Sequence, residues 1–202
     1  MKQQNRKSRR EKEYEGYEEQ QKVQVGLTRR MIAYLLDWYI GGLATALPVS
    51  AISMKLYGTV QNQQIVEFAH PWSMAAGVLA LLCAVLYYWA VPTFVWKGQT
   101  LGKRWLGLCI CSTNGEAISP GRMALRQILG LMAIEGAIVT ASTIWHQMLT
   151  IATGINFVKP LMYVGMVVSL VSSVMVLLKG HRAIHDYLGG SMVVRVKPSE
   201  QN

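Results

Sequence analysis

Residues 72 to 96 read WSMAAGVLALLCAVLYYWAVPTFVW. It holds no charged side chain, and it is longer than the roughly 20 residues that a helix needs to cross a hydrocarbon core about 30 Å thick. Tryptophan at both ends suits the two membrane interfaces, and Pro92 is expected to bend the last turn. This stretch predicts a transmembrane helix.

Three further apolar stretches have a similar length. They cover about 31–53, 128–150 and 160–178, and the second of these three is interrupted by Glu135 and His146. Apolar runs of this length are typical of membrane-spanning helices rather than of helices in a soluble core. The sequence therefore predicts an all-α membrane protein with a four-helix transmembrane bundle.

The overall composition argues against several other classes of protein. Hydrophobic residues make up 51% of the chain and charged residues only 15%, a balance that is too apolar for a soluble domain. The net charge of +9 could indicate a nucleic-acid binder, but Lys and Arg are concentrated between the apolar stretches, as in oriented membrane proteins. We expect the lipid bilayer as a partner and no nucleic acid.

The distribution of Lys and Arg predicts the orientation of the chain. Nine precede the first span, five lie in 97–126 and four follow the fourth span, whereas the two other loops hold only Lys55 and Lys159. By the positive-inside rule, the tail, the central loop (97–127) and the carboxyl-terminal segment (179–202) are expected on the cytoplasmic side.

The amino-terminal residues 1–28 alternate basic and acidic runs and contain few apolar residues. This composition is typical of a disordered segment, so we expect a solvated cytoplasmic tail that helps to set the orientation. Contact of its basic cluster with anionic lipid headgroups is the alternative. The membrane domain is then expected over 29–197, with no cleavable signal peptide.

The loop between the second and third spans carries a β-hairpin pattern. Its β-compatible residues surround Asn114-Gly115, a dipeptide that favours a type I′ turn, and residues 191–196 could add a third strand. Ser119-Pro120 is typical of a helix start, with serine as the N-cap and proline at the first helical position. We predict a small cytoplasmic β-hairpin or sheet beneath the bundle.

Charged residues in or beside the apolar stretches are candidates for a functional site. Arg30 and Asp37 are seven positions apart and so lie on nearly the same helix face, and a stripe of small residues should turn Asp37 towards protein. Asp186 follows the fourth span, within reach of a basic residue from the first. Glu135 is expected deep in the third span, where a carboxyl group is either neutral or faces protein.

Three motifs follow one another along the chain. The first comprises Arg30 and Asp37, the second is GQTLGKRWLGL over 98–108, and the third is HDYLGGS over 185–191. In this order they resemble the motifs of the RDD family of bacterial membrane proteins, which is named for one arginine and two aspartates. The resemblance implies a multi-pass protein of the bacterial cell membrane. Some relatives are linked to sodium–proton antiport and others are accessory proteins of membrane complexes, so it leaves the activity open.

Neither a nucleotide site nor a metal site is expected, and no cofactor is implied. The glycine-rich run before Lys103 lacks the P-loop spacing, and Arg104 stands where a P-loop has Ser or Thr. We expect Lys103 and Arg104 at the membrane surface near lipid phosphates, and Arg182 as a further interfacial basic residue. His181 and His185 are four positions apart but have no third ligand nearby.

Two functions fit these features, and an enzyme is not expected because no catalytic arrangement can be assembled. In a cation/proton antiporter, Asp37 and Glu135 would exchange ions, Arg30 and Asp186 would form a gate, and a homo-oligomer would be needed. In an accessory protein, Arg30, Asp37 and Asp186 would form an ion-pair clasp between the first and last helices, while the sheet or the tail docks a partner membrane protein. The second is preferred because no dense cluster of intramembrane polar groups marks a substrate path.

Overall fold

Helices make up most of the chain in this computed structural model, with one small β-sheet at one end. The structure describes residues 25–60, 63–136, 139–178 and 181–196, so the predicted tail lies outside it as far as residue 24. In chain order the elements are α1 (Leu27–Tyr57), a 3₁₀ turn (Ile65–Glu67), α2 (Trp72–Val95), α3 (Leu101–Trp105), β1 (Leu108–Ser112), α4 (residues 120–134), α5 (Thr140–Thr153), α6 (Val158–Leu177), α7 (Ile184–Leu188) and β2 (Ser191–Arg195).

Three helices of the described chain, α1, α2 and α6, are long and apolar enough to cross a membrane, judged by length and composition. They confirm the predicted first, second and fourth spans, although α1 begins four residues before the predicted limit and ends four residues after it. Helix α6 is the least covered by protein, since only 11% of its most apolar window is buried. A helix that is apolar on all sides and yet uncovered is suited to a lipid surrounding.

The predicted third span is not one continuous helix. Helix α4 begins as an α-helical turn, Pro120–Ala124, and continues with wider π-type turns over Leu125–Ile134. At its end the N–H of Glu135 donates to the carbonyl of Gly130 at 2.9 Å, five residues back. Val139 has an extended conformation, and α5 starts anew at Thr140. The described chain therefore has three helices long enough to cross a membrane, and the predicted four-helix count is not confirmed.

The interruption after α4 is held by side-chain hydroxyl groups. The backbone carbonyl of Glu135 accepts a hydrogen bond from the hydroxyl of Ser169 on α6. The hydroxyl of Ser142 on α5 donates to the carbonyl of Met132. Gly136 permits this close return of the chain, because a Cβ atom there would fall 1.6 Å from the Ser142 hydroxyl oxygen. These hydroxyls take the place of the backbone partners that a continuous helix would have supplied.

Helix α5 packs mainly against α2 and has smaller contacts with α1 and α6. Small residues of α2 are fully buried there, namely Ala76, Ala80 and Ala84, and they let α5 approach closely. Ile144 shares an apolar cluster with Ala76, whereas Ala141, nearer the start of α5, shares another with Ala84. Since Ala76 lies near the start of α2, α5 runs antiparallel to α2. It leads the chain towards the end of the bundle that holds the 3₁₀ turn.

The small β-sheet sits at the opposite end of the bundle and confirms the predicted pairing of two distant segments. Strand β1 is antiparallel to β2, with Leu108 opposite Arg195 and Ser112 opposite Ser191. The segment after the turn of β1 makes only one isolated bridge, so the described sheet has two strands and not three. The segment that precedes α4 is thereby joined to the segment that follows α6.

The turn after β1 differs from the predicted type I′. The N–H of Gly115 donates to the carbonyl of Ser112 at 2.9 Å, and the N–H of Ser112 donates to the carbonyl of Glu116 at 2.9 Å. Gly115 has a left-handed φ of 79°, while Asn114 is not among the described residues with positive φ. The connection is therefore a three-residue loop that ends in a glycine with left-handed φ. The dipeptide Asn114-Gly115 is compatible with this loop as well as with a type I′ turn.

Candidate functional site: buried ion pairs

The carboxylate of Asp37 is buried where α1 meets the loop between α2 and α3. Its Oδ1 accepts hydrogen bonds from the Tyr87 hydroxyl and from the Gly102 N–H, both at 2.9 Å. Its Oδ2 accepts from the Thr100 hydroxyl at 2.5 Å and from the Lys103 ammonium group at 2.7 Å. Four donors, one of them charged, satisfy a buried carboxylate in its ionised form.

The glycine-rich motif of the sequence supplies three of these four donors. Helix α3 begins at Leu101, so the N–H of Gly102 belongs to the first turn, where it has no partner within the helix. Asp37 provides the acceptor from another helix, and a negative charge is favourable at a helix start. Gly102 makes the approach feasible, because a Cβ atom there would lie 2.6 Å from the Ala33 carbonyl oxygen. The motif is thus a docking loop for α1.

This arrangement corrects the surface role that the sequence suggested for two of the three basic residues. Lys103 does not extend towards lipid phosphates, because its ammonium group pairs with Asp37 and its side chain is only 13% exposed. Arg182 donates to the backbone carbonyls of Ser191 at 3.0 Å and Asp186 at 3.1 Å, so it also turns inwards. Arg104 is exposed and lies over the Trp96 ring, 5.2 Å from its centroid.

We expect Gly102→Ala to destabilise the protein by about 1–3 kcal/mol, because the added methyl group would force α3 away from α1. Thermal unfolding of the purified protein in detergent would measure the change. Gly121→Ala is the matched control, since a Cβ atom at Gly121 meets nothing within 4 Å. Equal unfolding temperatures for the two variants would contradict the close docking of α3.

The second buried carboxylate, Asp186, lies at the middle of α7 and is fully buried. Its Oδ2 lies 3.1 Å from Nη2 of Arg30 and accepts the Ala183 N–H at 2.9 Å, and its Oδ1 lies 2.8 Å from Nη2 of Arg126. Burial alone would raise the pKa of Asp186, but Arg126, His185, Arg30 and the Ala183 N–H lower it to about 2. Asp186 is therefore ionised at neutral pH.

Helix α7 reaches this position because two glycines let it lie directly on α4. A Cβ atom at Gly130 would fall 2.6 Å from the Cβ of His185, and one at Gly189 would fall 2.7 Å from the Cβ of Arg126. Arg126 is only 2% exposed, and its Nε and Nη1 have no hydrogen-bond partner among the described residues. The Asp186 carboxylate is therefore the main group that offsets the cost of burying the Arg126 charge.

The third buried carboxylate, Glu135, is bound to the neighbouring histidine of α7. Its Oε1 accepts the backbone N–H of His185, and its Oε2 lies 2.8 Å from Nδ1 of the same imidazole. The other ring nitrogen, Nε2, lies 3.9 Å from Oδ1 of Asp186. The imidazole thus stands between two carboxylates, and the break after α4 is tied to α7.

The charged residues singled out in the sequence fall into two separate groups. Arg30 pairs with Asp186, whereas Asp37, on the same helix as Arg30, pairs with Lys103. Periodicity indicated a shared face for Arg30 and Asp37 but did not reveal that each has its own partner. Arg126 was not singled out as a site residue, although an arginine at the start of an apolar stretch is the kind of signal that could have found it.

Comparison with known proteins identifies one match. The family model described as RDD family matches residues 24–190, a range that includes Asp37, Glu135 and Asp186 with all the partners described above. No curated protein and no solved structure matches the chain.

Proposed function

The chain belongs to the RDD family of membrane proteins, and from that premise we propose that it is an accessory or regulatory component of a membrane complex. Its buried ion pairs act as a structural clasp that holds the short helices and the β-sheet against the long helices. The observation that carries this proposal is the full coordination of the Asp37 carboxylate by four protein donors.

The second centre supports the same role. Asp186 contacts Arg30 near the start of α1 and Arg126 on α4, so one carboxylate ties together three segments that are far apart in the sequence. Strand β1 precedes α4 and strand β2 follows α7, so the pairing of the two strands also holds these segments together. A rigid end of this kind suits the docking of a partner protein, because little ordering is left to be done on binding.

The same contacts weigh against a cation/proton antiporter. An exchanging carboxylate must lose its protein partners when it takes up a proton or a cation, yet Asp37 has an ammonium group and three other donors on its two oxygens. Glu135 is likewise engaged on both oxygens by His185. Neither carboxylate offers an open coordination position.

The proposed membrane arrangement has four crossings, with both chain ends on the cytoplasmic side of a bacterial cell membrane. The pairing of β1 with β2 keeps the segments before α4 and after α6 at one end of the molecule. Because α6 begins at the other end, α4 and α5 together make the intervening crossing. The surplus of Lys and Arg near the sheet supports a cytoplasmic location for that end.

Affinity purification in mild detergent tests the docking role. We expect a partner membrane protein to be recovered with the wild-type chain at a fixed ratio, and to be lost when Glu116→Arg changes the charge of the exposed turn beside the sheet. Glu67→Arg is the matched control, since Glu67 is also exposed but lies at the opposite end of the bundle. Membrane abundance of both variants should equal that of the wild type.

Two experimental outcomes would overturn the proposal. One is the recovery of no partner at a constant ratio with the wild-type chain. The other is cation-dependent proton flux by the purified chain in sealed vesicles, which would make the protein a transporter.

A further inference from the structure

A cavity of about 210 Å³ lies between α5 and α6, beside the break that follows α4. Its wall is mostly apolar and includes Ile134 from the end of α4, with Leu161, Val164 and Val168 from α6. Val164 is 59% exposed, so the cavity opens on the lipid-facing side of α6. A ligand could therefore enter from the bilayer without passing through water.

One polar side chain in this wall has its hydrogen-bonding capacity unused. His146 is only 5% exposed and packs edge-on against the ring of Trp145, with 4.2 Å between the ring centroids. Trp145 and Ser142 both donate to the carbonyl of Met132, so their polar groups are occupied. No hydrogen bond of the described residues uses either ring nitrogen of His146, and neither nitrogen is among the fully buried unpartnered atoms, so they are not sealed off from the cavity. An imidazole that lines a cavity without a protein partner leaves its ring nitrogens available to a ligand or a water molecule.

The depth of the cavity in the bundle follows from the helix positions. Helix α6 has 20 residues and is therefore about 30 Å long, close to the thickness of a hydrocarbon core. The Thr150 hydroxyl of α5 accepts the N–H of Phe157 at 3.0 Å, just before α6 begins. His146 lies one turn below Thr150 and so sits within about 10 Å of the interface. Val168 lies deeper.

We propose that this cavity binds a membrane glycerolipid, whose ester carbonyl accepts a hydrogen bond from His146 and whose acyl chain lies along α6. The cavity has a single polar group near the interface and apolar walls deeper in the membrane. This arrangement matches the ester group and the acyl chain of a glycerolipid. The volume is below the roughly 300–1,000 Å³ of sites that enclose a whole small molecule. It holds part of one acyl chain, while the rest of the lipid stays in the bilayer.

Photolabelling in reconstituted vesicles tests this proposal. The probe is phosphatidylethanolamine with a diazirine in one acyl chain, included in vesicles of phosphatidylethanolamine and phosphatidylglycerol that contain the full chain. In the wild type we expect labelling to concentrate on the cavity-lining parts of α5 and α6. His146→Phe keeps an aromatic ring but removes the hydrogen bond, and it should lower this labelling about three- to tenfold.

Two further variants make the labelling specific to the cavity. Gly165→Leu places a side chain in the cavity wall and should abolish the labelling there. Val167→Leu is the matched control, because Val167 lies on α6 with 63% exposure and does not line the cavity, so labelling should persist. If His146→Phe or Gly165→Leu does not fold, the wild type decides, since labelling of a specific site should saturate as the mole fraction of the probe in the vesicles is raised.

Three outcomes would overturn the proposal. They are labelling spread evenly along α6, labelling that rises in proportion to the mole fraction of the probe without saturating, and the absence of lipid adducts on the cavity-lining residues.

Discussion

Asp186→Asn is expected to lower the free energy of unfolding by about 3–5 kcal/mol. Asparagine has nearly the same size as aspartate, so the variant changes the charge and leaves no cavity. The guanidinium of Arg126 would stay fully buried without its carboxylate, and Arg30 would lose its partner as well. Membrane abundance and thermal unfolding in detergent would both report the loss.

A control and a double variant separate this charge effect from a general sensitivity to substitution. Glu116→Gln removes an exposed carboxylate near the same sheet and should change stability by less than about 0.5 kcal/mol. Arg126→Gln should be destabilising alone, and its combination with Asp186→Asn should cost less than the two single effects together. Strict additivity, or an unchanged unfolding temperature for Asp186→Asn, would show that the pair does not hold α7 on α4.

Asp37→Asn is expected to have an effect of similar size, about 3–5 kcal/mol. Its carboxylate accepts four hydrogen bonds, two on each oxygen. The amide of asparagine has only one accepting oxygen, so its NH₂ group would face two donors that need an acceptor. Lys103 would also keep a largely buried ammonium group without a counter-charge. We expect membrane abundance and any activity of the complex to fall in parallel, because the docking loop is released from α1.

The neighbouring basic residues provide the comparison for Asp37→Asn. Lys103→Met leaves the carboxylate unpaired and should also destabilise, whereas Arg104→Met alters an exposed residue and should be nearly neutral. A stable, abundant Asp37→Asn protein that has lost its function would speak for ion exchange by this carboxylate instead of a clasp.

The parts of the fold that depend on local composition could be predicted from the sequence. Length and hydropathy indicated α1, α2 and α6 within a few residues. Ser119 and Pro120 indicated the start of α4, and the structure has Ser119 as the N-cap, accepting the Arg122 N–H at 3.5 Å, with Pro120 first in the helix. Short-range signals suffice for such features because their partners lie within one turn of the chain.

The parts that depend on distant partners could not be predicted. A window long enough to detect a span averages over Glu135, so it does not show that the helix ends there. The hydroxyl of Ser169 and the imidazole of His185, which hold that end, come from 34 and 50 residues further along the chain. The partner of Asp37 was missed for the same reason, since Lys103 is 66 residues away.

The pairing of β1 with β2 has a consequence for biosynthesis. On the ribosome, β1 and Arg126 are made well before β2 and Asp186, which follow the last long helix. A chain halted before residue 181 therefore lacks both the partner strand of β1 and the counter-ion of Arg126. The sheet and this ion pair can form only after the last segment has been made, so this end of the molecule is completed last.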